Sequence, residues 1–498
     1  MSSTEVVRSE AAASKEMEAV AVPNKSEHVE YGDEPVLSPE HQAYLMQRHG
    51  TTDLDPIPAM DDEDPLNWGQ RKKIVNLVLV AFHAMMSTFT AASIQPSFVA
   101  IAADLDVSVQ QASYLTSLQI AVLGGAPLFW RPFSQAYGRR PVFLLSLACS
   151  LVCNIGCAES RSYGTMGLCR ALTAFFISPP LSIGSGVVSE TFFRRDRGLY
   201  MGVWATMATL GVSVAPLIFG FVAYRVGYRW VYWVLAMLTV QINAGQLVLY
   251  LFLGPETRYI ANRPHVEQTT PPSRPSSFVA RYLRFGRIDH TPLRVADFVR
   301  PLAMALRPCV LIPAAAYAMV FLWGGILISL ELPQLFPERF GQNAEQVGLQ
   351  NVSLVIGTLL GEQLGGRMSD RWMWRRHRRG HFPAPEYRLW LSYVGYALVV
   401  CGVVIFLVQI DHAGHRWNVT PLIGAAIASA GNQIITTVLI TYAVDCYRHE
   451  AASIGMLANI GLVRSLGIPL GLLVAVSLLP TMALQWKGHC WRKQPALA

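Results

Sequence analysis

From Ile74 onward the chain repeats one feature, an apolar run of about 20 residues bounded by polar or basic residues. A helix rises 1.5 Å per residue, so each run is long enough to cross the roughly 30 Å of hydrocarbon in a bilayer. The composition agrees, because 52% of the residues are hydrophobic and only 15% are charged, whereas about a quarter are charged in soluble domains. We place eleven runs, at 74–95, 111–130, 141–158, 164–189, 199–224, 230–253, 308–330, 347–366, 389–410, 419–444 and 452–479. These runs predict an all-α integral membrane protein.

Basic residues are concentrated on one side of the predicted spans. The loops on that side carry 26 lysines and arginines, and the loops on the other side carry five. Because short loops rich in Lys and Arg stay in the cytoplasm, this bias predicts a cytoplasmic N-terminus. The net charge of +7 is therefore interpreted as a sign of membrane topology, and we expect no nucleic-acid partner.

Charge and proline divide the chain into segments. Residues 1–70 carry 15 acidic and four basic residues and no apolar core of signal-peptide length, so we expect a disordered cytosolic tail there. Residues 255–307 form a basic, proline-containing loop between two sets of spans. The predicted organisation is a six-helix bundle at 71–254, this cytoplasmic loop, a second bundle with five detected spans at 308–480, and a polar basic tail at 481–498.

Four short motifs keep a fixed order relative to the predicted spans. They are Asp64-Pro65-x-x-Trp68 before the first span, Gly138-Arg139-Arg140-Pro141 after the second, Arg170 in the fourth and Pro255-Glu256-Thr257 after the sixth. With these motifs, over about residues 64 to 480, the chain resembles the major facilitator superfamily, and within it the fungal twelve-span permeases grouped with drug:proton antiporters. The resemblance implies two six-helix bundles related by a pseudo-two-fold axis, which rock around a central substrate site.

In this family the loop between spans 2 and 3 usually reads G-x-x-x-D-R-x-G-R-R, a cluster that locks the cytoplasmic gate. Here Gln135 replaces the acidic residue and Ala136 the following Arg, so the cluster is incomplete. We expect Arg139 and Arg140 to pair with Glu190 at the inner end of span 4. The alternative is that these arginines only set the topology.

The second half keeps more of the same pattern. Gly366, Asp370 and Arg371 follow span 8, and Asp445 lies at the end of span 10. The resemblance therefore implies a second conformational latch, between Asp370, Arg371 and Asp445.

Charged residues inside a span cost roughly 2.5–3.5 kcal/mol on insertion scales, so each needs a partner or a function. Arg170 lies in span 4, where the superfamily has an arginine associated with proton coupling. Bonding of Arg170 to backbone carbonyls is the open alternative. Glu362 in span 8 and Arg464 in span 11 have opposite charge and comparable depth. We expect these two to pair, or Glu362 to carry a proton.

Span 5 contains Gly211-x-x-x-Ala215-Pro216-x-x-Phe219-Gly220. This is similar to the antiporter motif G-x-x-x-G-P-x-x-G-G, with Ala215 and Phe219 in place of two glycines. Small residues four apart let helices approach closely, and Pro216 bends the helix axis. Ordinary helix contacts use the same residues, so packing alone is the alternative interpretation.

Uncharged polar residues inside a span should face a cavity or another helix. The candidates for a substrate cavity are His83, Gln119, Asn243, Asn432 and Gln433. The sequence contains no H-E-x-x-H, G-x-S-x-G, Walker loop or Cys/His ligand cluster, so we expect no enzyme, metal site or cofactor. Without a nucleotide site, transport must be driven by an ion gradient or by the gradient of the solute itself.

The family has a twelfth span after Pro480. Residues 481–498 of this chain are polar and basic and cannot cross a bilayer as a helix. We expect either a truncated gene model or splice form, or the loss of a peripheral span.

Together these observations predict a proton-linked secondary transporter of the plasma membrane, a monomer in the lipid bilayer. We expect it to export small amphipathic organic compounds, such as a drug or a fungal metabolite, and the vacuolar membrane is an alternative location. Two other functions stay open: an uptake permease for a small nutrient, and a transport-dead sensor or scaffold acting through the acidic tail and the basic loop.

Overall fold

The computed structural model describes most of the chain, in the ranges 38–62, 64–227, 307–379, 384–414 and 417–447 with a few single positions elsewhere. All regular elements within these ranges are helices, as the apolar runs predict. The remaining segments lie outside the described residues apart from scattered positions: 1–37, the predicted runs 230–253 and 452–479, the loop 255–307 and the tail 481–498.

Each of the other nine predicted runs coincides with one or more helices. Eight helical stretches are long and apolar enough to cross a membrane. The ninth, at the run 347–366, contains polar residues and a π-helical turn over Gln363–Met368. The helices in chain order are α1 (Pro39–His49), α2 (Gln70–Ala92), α3 (Phe98–Asp104), α4 (Val109–Gly125), α5 (Pro127–Tyr137), α6 (Arg139–Ala158), α7 (Tyr163–Ile177), α8 (Pro179–Thr191), α9 (Arg197–Arg225), α10 (Pro308–Phe321), α11 (Leu327–Phe340), α12 (Ala344–Gln350), α13 (Val352–Glu362), α14 (Ser369–His377), α15 (Trp390–Asp411) and α16 (Thr420–Cys446).

We call α2–α9 the first half and α10–α16 the second half. The basic end of the bundle is the end at which α6, α9 and α14 begin and α8 and α16 finish. At the opposite end, α4, α7 and α12 each begin with a capping box, in which the side chain before the helix and the third helical residue bond each other's backbone N–H. The local sequence therefore fixes where these three helices start.

Small residues set the packing within the second half. A β-carbon added at Gly402 of α15 would overlap the backbone of Ala428 in α16, and one at Gly357 of α13 would overlap the backbone of Ala426. Helix α16 is thus held at close range by α15 on one side and α13 on the other. Such contacts suit a bilayer, where helices gain stability from close packing rather than from exclusion of water.

The N-terminal tail differs from the sequence expectation of disorder over residues 1–70. The described residues 38–50 belong to a unit separate from the rest of the bundle, and they form α1. The Ser38 hydroxyl accepts the His41 N–H at the start of α1, and Gly50 ends the helix in the left-handed conformation, with φ of 71°. Both caps are strong local signals, which outweigh the polar composition here.

Residues 51–69 are also folded locally. The Asp64 carboxylate accepts the N–H groups of Leu66 and Ala59, at 2.9 and 2.8 Å, and so caps the short 3-10 turn Pro65–Asn67. The Lys73 ammonium donates to the Leu66 carbonyl at 2.9 Å. Asp64, one of the acidic residues that predict disorder by their charge, therefore acts here as a hydrogen-bond acceptor for the backbone.

Candidate functional site

A cavity lies between the two halves of the bundle. The first half lines it with residues of α2, α4, α8 and α9, and the second half with residues of α10, the following π-helical turn and α16. In this conformation the cavity is narrow, with about 70 Å³ open to the centre of a water-sized sphere. Because the cavity lies between the halves, a rocking motion of one half against the other would change the end at which the cavity opens.

The cavity is apolar with a few hydroxyl and amide groups. Among the described residues, no charged side chain lines it. The Trp204 indole N–H donates to the Pro180 carbonyl at 3.1 Å, which fixes that ring in the wall. The buried Thr116 hydroxyl has no hydrogen-bond partner among the described residues. These walls suit an uncharged, mainly apolar molecule that offers a polar group to Thr116.

A buried carboxylate, that of Glu362 at the end of α13, is not among the residues that line this cavity, but it is bonded by Thr206 and Thr437, which directly follow the lining residues Ala205 and Thr436 in the chain. Its Oε2 accepts hydrogen bonds from Thr206 Oγ1 at 2.9 Å, Gln433 Nε2 at 2.9 Å and Thr437 Oγ1 at 2.8 Å. Thr206 belongs to the first half and the other two donors belong to the second. The other carboxylate oxygen, Oε1, has no hydrogen-bond partner among the described residues. Glu362 therefore links the halves and keeps one oxygen available to a proton.

Two glycines make room for this carboxylate. A β-carbon at Gly202 of α9, or at Gly366 in the π-helical turn, would overlap Glu362 Oε1. One turn earlier on α9, a β-carbon at Gly198 would overlap the Asp370 carboxylate. The spacing Gly198-x-x-x-Gly202 at the start of span 5 is a small-residue motif that the sequence analysis missed.

At the basic end, four buried side chains form a continuous ion network between the halves. Arg197 at the start of α9 pairs with Asp445 Oδ1 at 2.7 Å. Arg388, just before α15, pairs with Asp445 Oδ2 at 3.5 Å and with Asp370 Oδ1 at 3.0 Å. Two cations and two anions balance, which is the condition for tolerating charges away from water.

Asp370 also caps α9. Its two oxygens accept the N–H groups of Gly198 at 3.2 Å and Leu199 at 2.6 Å, in the first turn of α9. A carboxylate at a helix N-terminus is stabilised by the unpaired N–H groups and by the helix dipole. Burial raises the pKa of Asp370 to about 6, against the opposing effect of Arg388 and the Leu199 N–H. Asp370 thus takes up a proton nearer to neutral pH than an ordinary aspartate.

The segment before α2 lies across the same end. The Asp55 carboxylate is 3.4 Å from Arg194 in the loop before α9, and the Asp55 carbonyl accepts the Arg194 N–H at 2.8 Å. Asp53 is 3.2 Å from His377 at the end of α14. Through Asp55 and Asp53 the segment touches both halves where the ion network joins them.

At the opposite end the halves meet through the exposed ion pair of Arg225 and Glu345, at 3.1 Å, and through a buried contact of uncharged groups. The Ser329 hydroxyl of α11 donates to Gln95 Oε1 at 3.1 Å, and both side chains are buried. Gln95 lines the central cavity and also a second, open pocket formed with residues that include Phe98 and Pro337. The backbone departs from α geometry near both residues. Gln95 lies in the 3-10 turn Gln95–Ser97, and Ser329 follows the π-helical turn Leu322–Ile326. A thin polar contact therefore separates the cavity from the opposite end.

The structure brings together some of the predicted latch residues. Arg139 forms an ion pair with Glu190, and Arg139 also donates to the Ile183 carbonyl at 3.2 Å. Arg140 is partly buried beside it. Asp370 and Asp445 share Arg388, whereas the side chain of Arg371 is exposed and lies outside this network.

Sequence analysis missed Arg197 and Arg388, which it treated only as basic loop residues. Arg197 begins α9, and Arg388 lies in the 3-10 turn Pro385–Leu389 before α15; at such positions charge counting cannot distinguish an inward from an outward side chain. Asp370 in the first turn of α14 and Asp445 in the last turn of α16 each need a basic partner. That need is the signal that would have suggested Arg197 and Arg388.

Of the predicted cavity residues, the four that the structure describes are not among those that line the cavity. His83 is buried against α6, where its Nε2 is 3.1 Å from the Ser146 hydroxyl. Gln119 and Asn432 are buried without a hydrogen-bond partner among the described residues, and they are not among those that line the cavity. Gln433 holds Glu362. Asn243 and Arg464 are outside the described residues, so the expected pair of Glu362 and Arg464 stays a prediction.

Arg170 contacts backbone groups. Its Nε donates to the Leu115 carbonyl at 3.3 Å, and its Nη2 donates to the Ala91 carbonyl at 3.1 Å. Arg170 therefore joins α7 to α4 and to α2, which matches the alternative of a bundle-stabilising arginine.

The predicted antiporter motif lies along α9 and packs it on both sides. A β-carbon at Gly211 would overlap Thr88 and the Met85 carbonyl of α2. At the other end of the motif, a β-carbon at Gly220 would overlap the Ala344 carbonyl of α12 in the second half. Ala215 and Pro216 between them are buried. The motif thus positions α9 between the two halves.

The family model and the similar proteins agree on one family. Residues 77–472 match the family model described as Major Facilitator Superfamily. The efflux pump radE of Floropilus chiversii is 26% identical, over 79% of this chain and 72% of its own. The MFS transporter fsa7 of Fusarium sp. is 27% identical, over 86% and 82%. "Probable drug/proton antiporter YHK8" of Saccharomyces cerevisiae is 26% identical, over 82% and 78%.

The first prediction concerns the glycine beside Glu362. We expect Gly202→Ala to lower the free energy of unfolding by about 1–3 kcal/mol, because the added methyl group overpacks the contact of α9 with Glu362. Gly125→Ala is the matched control, since a β-carbon there meets nothing within 4 Å. Thermal unfolding of the purified protein in detergent measures both. Equal stability of the two variants would contradict this packing.

The second prediction concerns the buried ion network. We expect Arg197→Gln to destabilise the protein by about 3–5 kcal/mol, because it leaves the buried charge of Asp445 undercompensated. Arg225→Gln, in the exposed pair with Glu345, should leave the stability nearly unchanged, because water screens that pair. The double variant Arg197→Met/Asp445→Leu keeps the pair of Arg388 and Asp370 neutral and should recover part of the loss. If denaturant unfolding shows that Arg197→Gln lowers the free energy of unfolding no more than Arg225→Gln does, the ion network does not contribute to stability.

Proposed function

The chain belongs to the major facilitator superfamily, and from this premise we propose that it exports small, uncharged amphipathic organic compounds in exchange for protons. As a member of the family it is a multi-pass membrane transporter and not an enzyme. The observation that carries the proposal is Glu362, a buried carboxylate that is bonded by both halves through donors next to the lining of the central cavity.

The cavity supports the class of substrate. Among the described residues its lining has no charge to neutralise an ionised ligand, and a charged ligand would lose its hydration there without compensation. An apolar body can bury itself against the cavity walls, while a polar group bonds Thr116. The names of two relatives, an efflux pump and a drug/proton antiporter, support export.

Glu362 supplies a proton site with a mechanical consequence. In the ionised form, Oε2 accepts three hydrogen bonds, one of them from Thr206 across the interface between the halves. A proton added at Oε1 removes the charge that these donors satisfy. The bond to Thr206 then weakens, and the halves separate more easily around Glu362. Release of the proton restores the bond and draws the halves together.

Two closures then alternate around the cavity. We assign the ion network of Arg197, Asp445, Arg388 and Asp370 to the inner closure, which faces the cytoplasm together with the N-terminus, because the basic loops lie at this end. The bond between Gln95 and Ser329 is the outer closure. The plasma membrane is the location that such an export function requires.

The third prediction tests proton coupling and direction. In inside-out vesicles with an acid interior, we expect uptake of radiolabelled uncharged amphipathic compounds, since protons leaving the vesicle drive substrate inward. Glu362→Gln should reduce this uptake to the level seen without a pH gradient, while exchange of labelled for unlabelled compound persists. Glu159→Gln, an exposed carboxylate at the opposite end, is the control and should behave as wild type.

The outcomes of this assay separate the candidate functions. Gradient-driven uptake that survives in Glu362→Gln would remove Glu362 as the proton carrier. Uptake favoured by an alkaline interior would indicate a nutrient permease instead. No flux of any compound by a folded protein would favour a sensor or scaffold.

The fourth prediction tests the outer closure. Thr116→Cys places a thiol in the cavity, and we expect Ser329→Ala to speed its reaction with a membrane-impermeant thiol reagent added from outside, because the bond to Gln95 is lost. Ser353→Ala is the control, since that hydroxyl bonds only the Gln350 carbonyl in its own half. The reaction of the native cysteines, measured in protein that lacks Thr116→Cys, gives the background rate. An unchanged rate in Ser329→Ala would exclude this bond as a closure.

A further inference from the structure

The outward side of α14 at the basic end carries a dense cationic surface. We call the six exposed arginines of this surface the arginine face: Arg367, Arg371, Arg375, Arg376, Arg378 and Arg379. Asp370 is the one carboxylate between residues 363 and 379, and it points the other way, into the buried ion network. The arginine face is therefore a concentrated positive charge, and residues 363–379 place no acidic side chain beside it.

This charge lies where an apolar helix surface ends. Leu360, Leu364 and Met368 follow one another at four-residue spacing and are exposed, Leu360 by 62%. Arg371 and Arg375 continue the same side of the helix at spacings of three and four residues. A lipid-facing surface that turns cationic within two helical turns marks the boundary between hydrocarbon and headgroups.

Aromatic side chains occupy the same boundary. Trp372 is 43% exposed, and Trp390, at the start of the neighbouring α15, is 53% exposed. The Trp372 ring stacks on Tyr387, with centroids 5.5 Å apart, and the Arg376 guanidinium lies 4.4 Å from the centre of the Tyr387 ring. Exposed Trp at this depth is typical of the membrane interface. The stack also restricts Arg376, so less conformational freedom is lost when it binds a ligand.

We propose that the arginine face binds the headgroups of anionic phospholipids in the leaflet that surrounds the basic end. Guanidinium groups bind phosphate oxygens in a bidentate manner and are weakly hydrated, which suits them to an interface. Basic clusters beside a membrane span attract anionic lipid, and each arginine contributes about a fivefold gain in binding. An acidic protein would need no adjoining exposed leucines, so the surface favours a lipid.

The test uses quenching of tryptophan fluorescence by lipid. The full-length protein is placed in nanodiscs of phosphatidylcholine, and brominated phosphatidylserine or brominated phosphatidylcholine is added in increasing fraction. We expect stronger quenching by the anionic lipid. Trp372→Phe should reduce that difference, because Trp390 remains as a second reporter at this boundary, whereas Trp417→Phe, which removes an exposed tryptophan at the opposite end of α15, should keep it in full.

A second pair of variants tests the charges. Arg375→Gln/Arg378→Gln should reduce the preference for phosphatidylserine by roughly tenfold or more, with quenching by phosphatidylcholine unchanged. Arg161→Gln/Arg339→Gln removes two exposed arginines at the opposite end and should retain the preference. Added salt should weaken the preference in wild type because it screens charges at the headgroups.

Three results would overturn the proposal. They are equal quenching of the wild type by both lipids, a preference that survives in Arg375→Gln/Arg378→Gln, and a preference lost equally in Arg161→Gln/Arg339→Gln. If the arginine variant does not fold, the comparison of the wild type with Trp372→Phe and Trp417→Phe decides the matter alone. Displacement of the anionic lipid by a soluble acidic peptide at physiological salt would assign the surface to a protein instead.

Discussion

The capping of α9 by Asp370 is the contact on which the arrangement of the two halves depends. The carboxylate comes from the second half and accepts N–H groups at the start of a first-half helix. Helix termini leave backbone N–H groups unpaired, and away from water such groups need a partner. Because this partner comes from the other half, the stability of α9 is coupled to the contact between the halves. Arg388 holds Asp370 in place and extends the contact to Asp445 and Arg197.

Glu362 repeats the same arrangement deeper in the bundle. Both carboxylates belong to the eighth predicted span or its end, and both fit against a glycine of α9. They differ in their partners: Asp370 has an arginine, while Glu362 has three neutral donors. Neutral donors satisfy a carboxylate less strongly than a cation does. The two positions therefore differ in kind: Asp370 is held by a cation, whereas Glu362 is held only by neutral groups, and it is Glu362 to which we assign the proton in the proposed function.

The sequence predicted the helices well and their contacts poorly, for a physical reason. A membrane helix needs a long apolar run, which is a local property, so nine runs matched helices in the described residues. The pair of Arg197 and Asp445 spans 248 positions, and no local pattern specifies it. His83 was assigned to the cavity because its cost in lipid is visible in sequence, but Ser146 of a neighbouring helix satisfies it. The predicted tail was partly ordered because single caps, rather than overall charge, decide short helices.

The glycines that receive the two carboxylates also constrain how the protein can vary. At Gly198 and Gly202 the space is already occupied by atoms from a helix that is more than 150 residues away in the chain. Any larger residue at either glycine is tolerated only if the facing acid is shortened or lost, and a lost acid removes one partner of Arg388 or of Thr206. Substitutions here are therefore epistatic, and divergent members of such a lineage should change these positions in matched sets rather than one at a time.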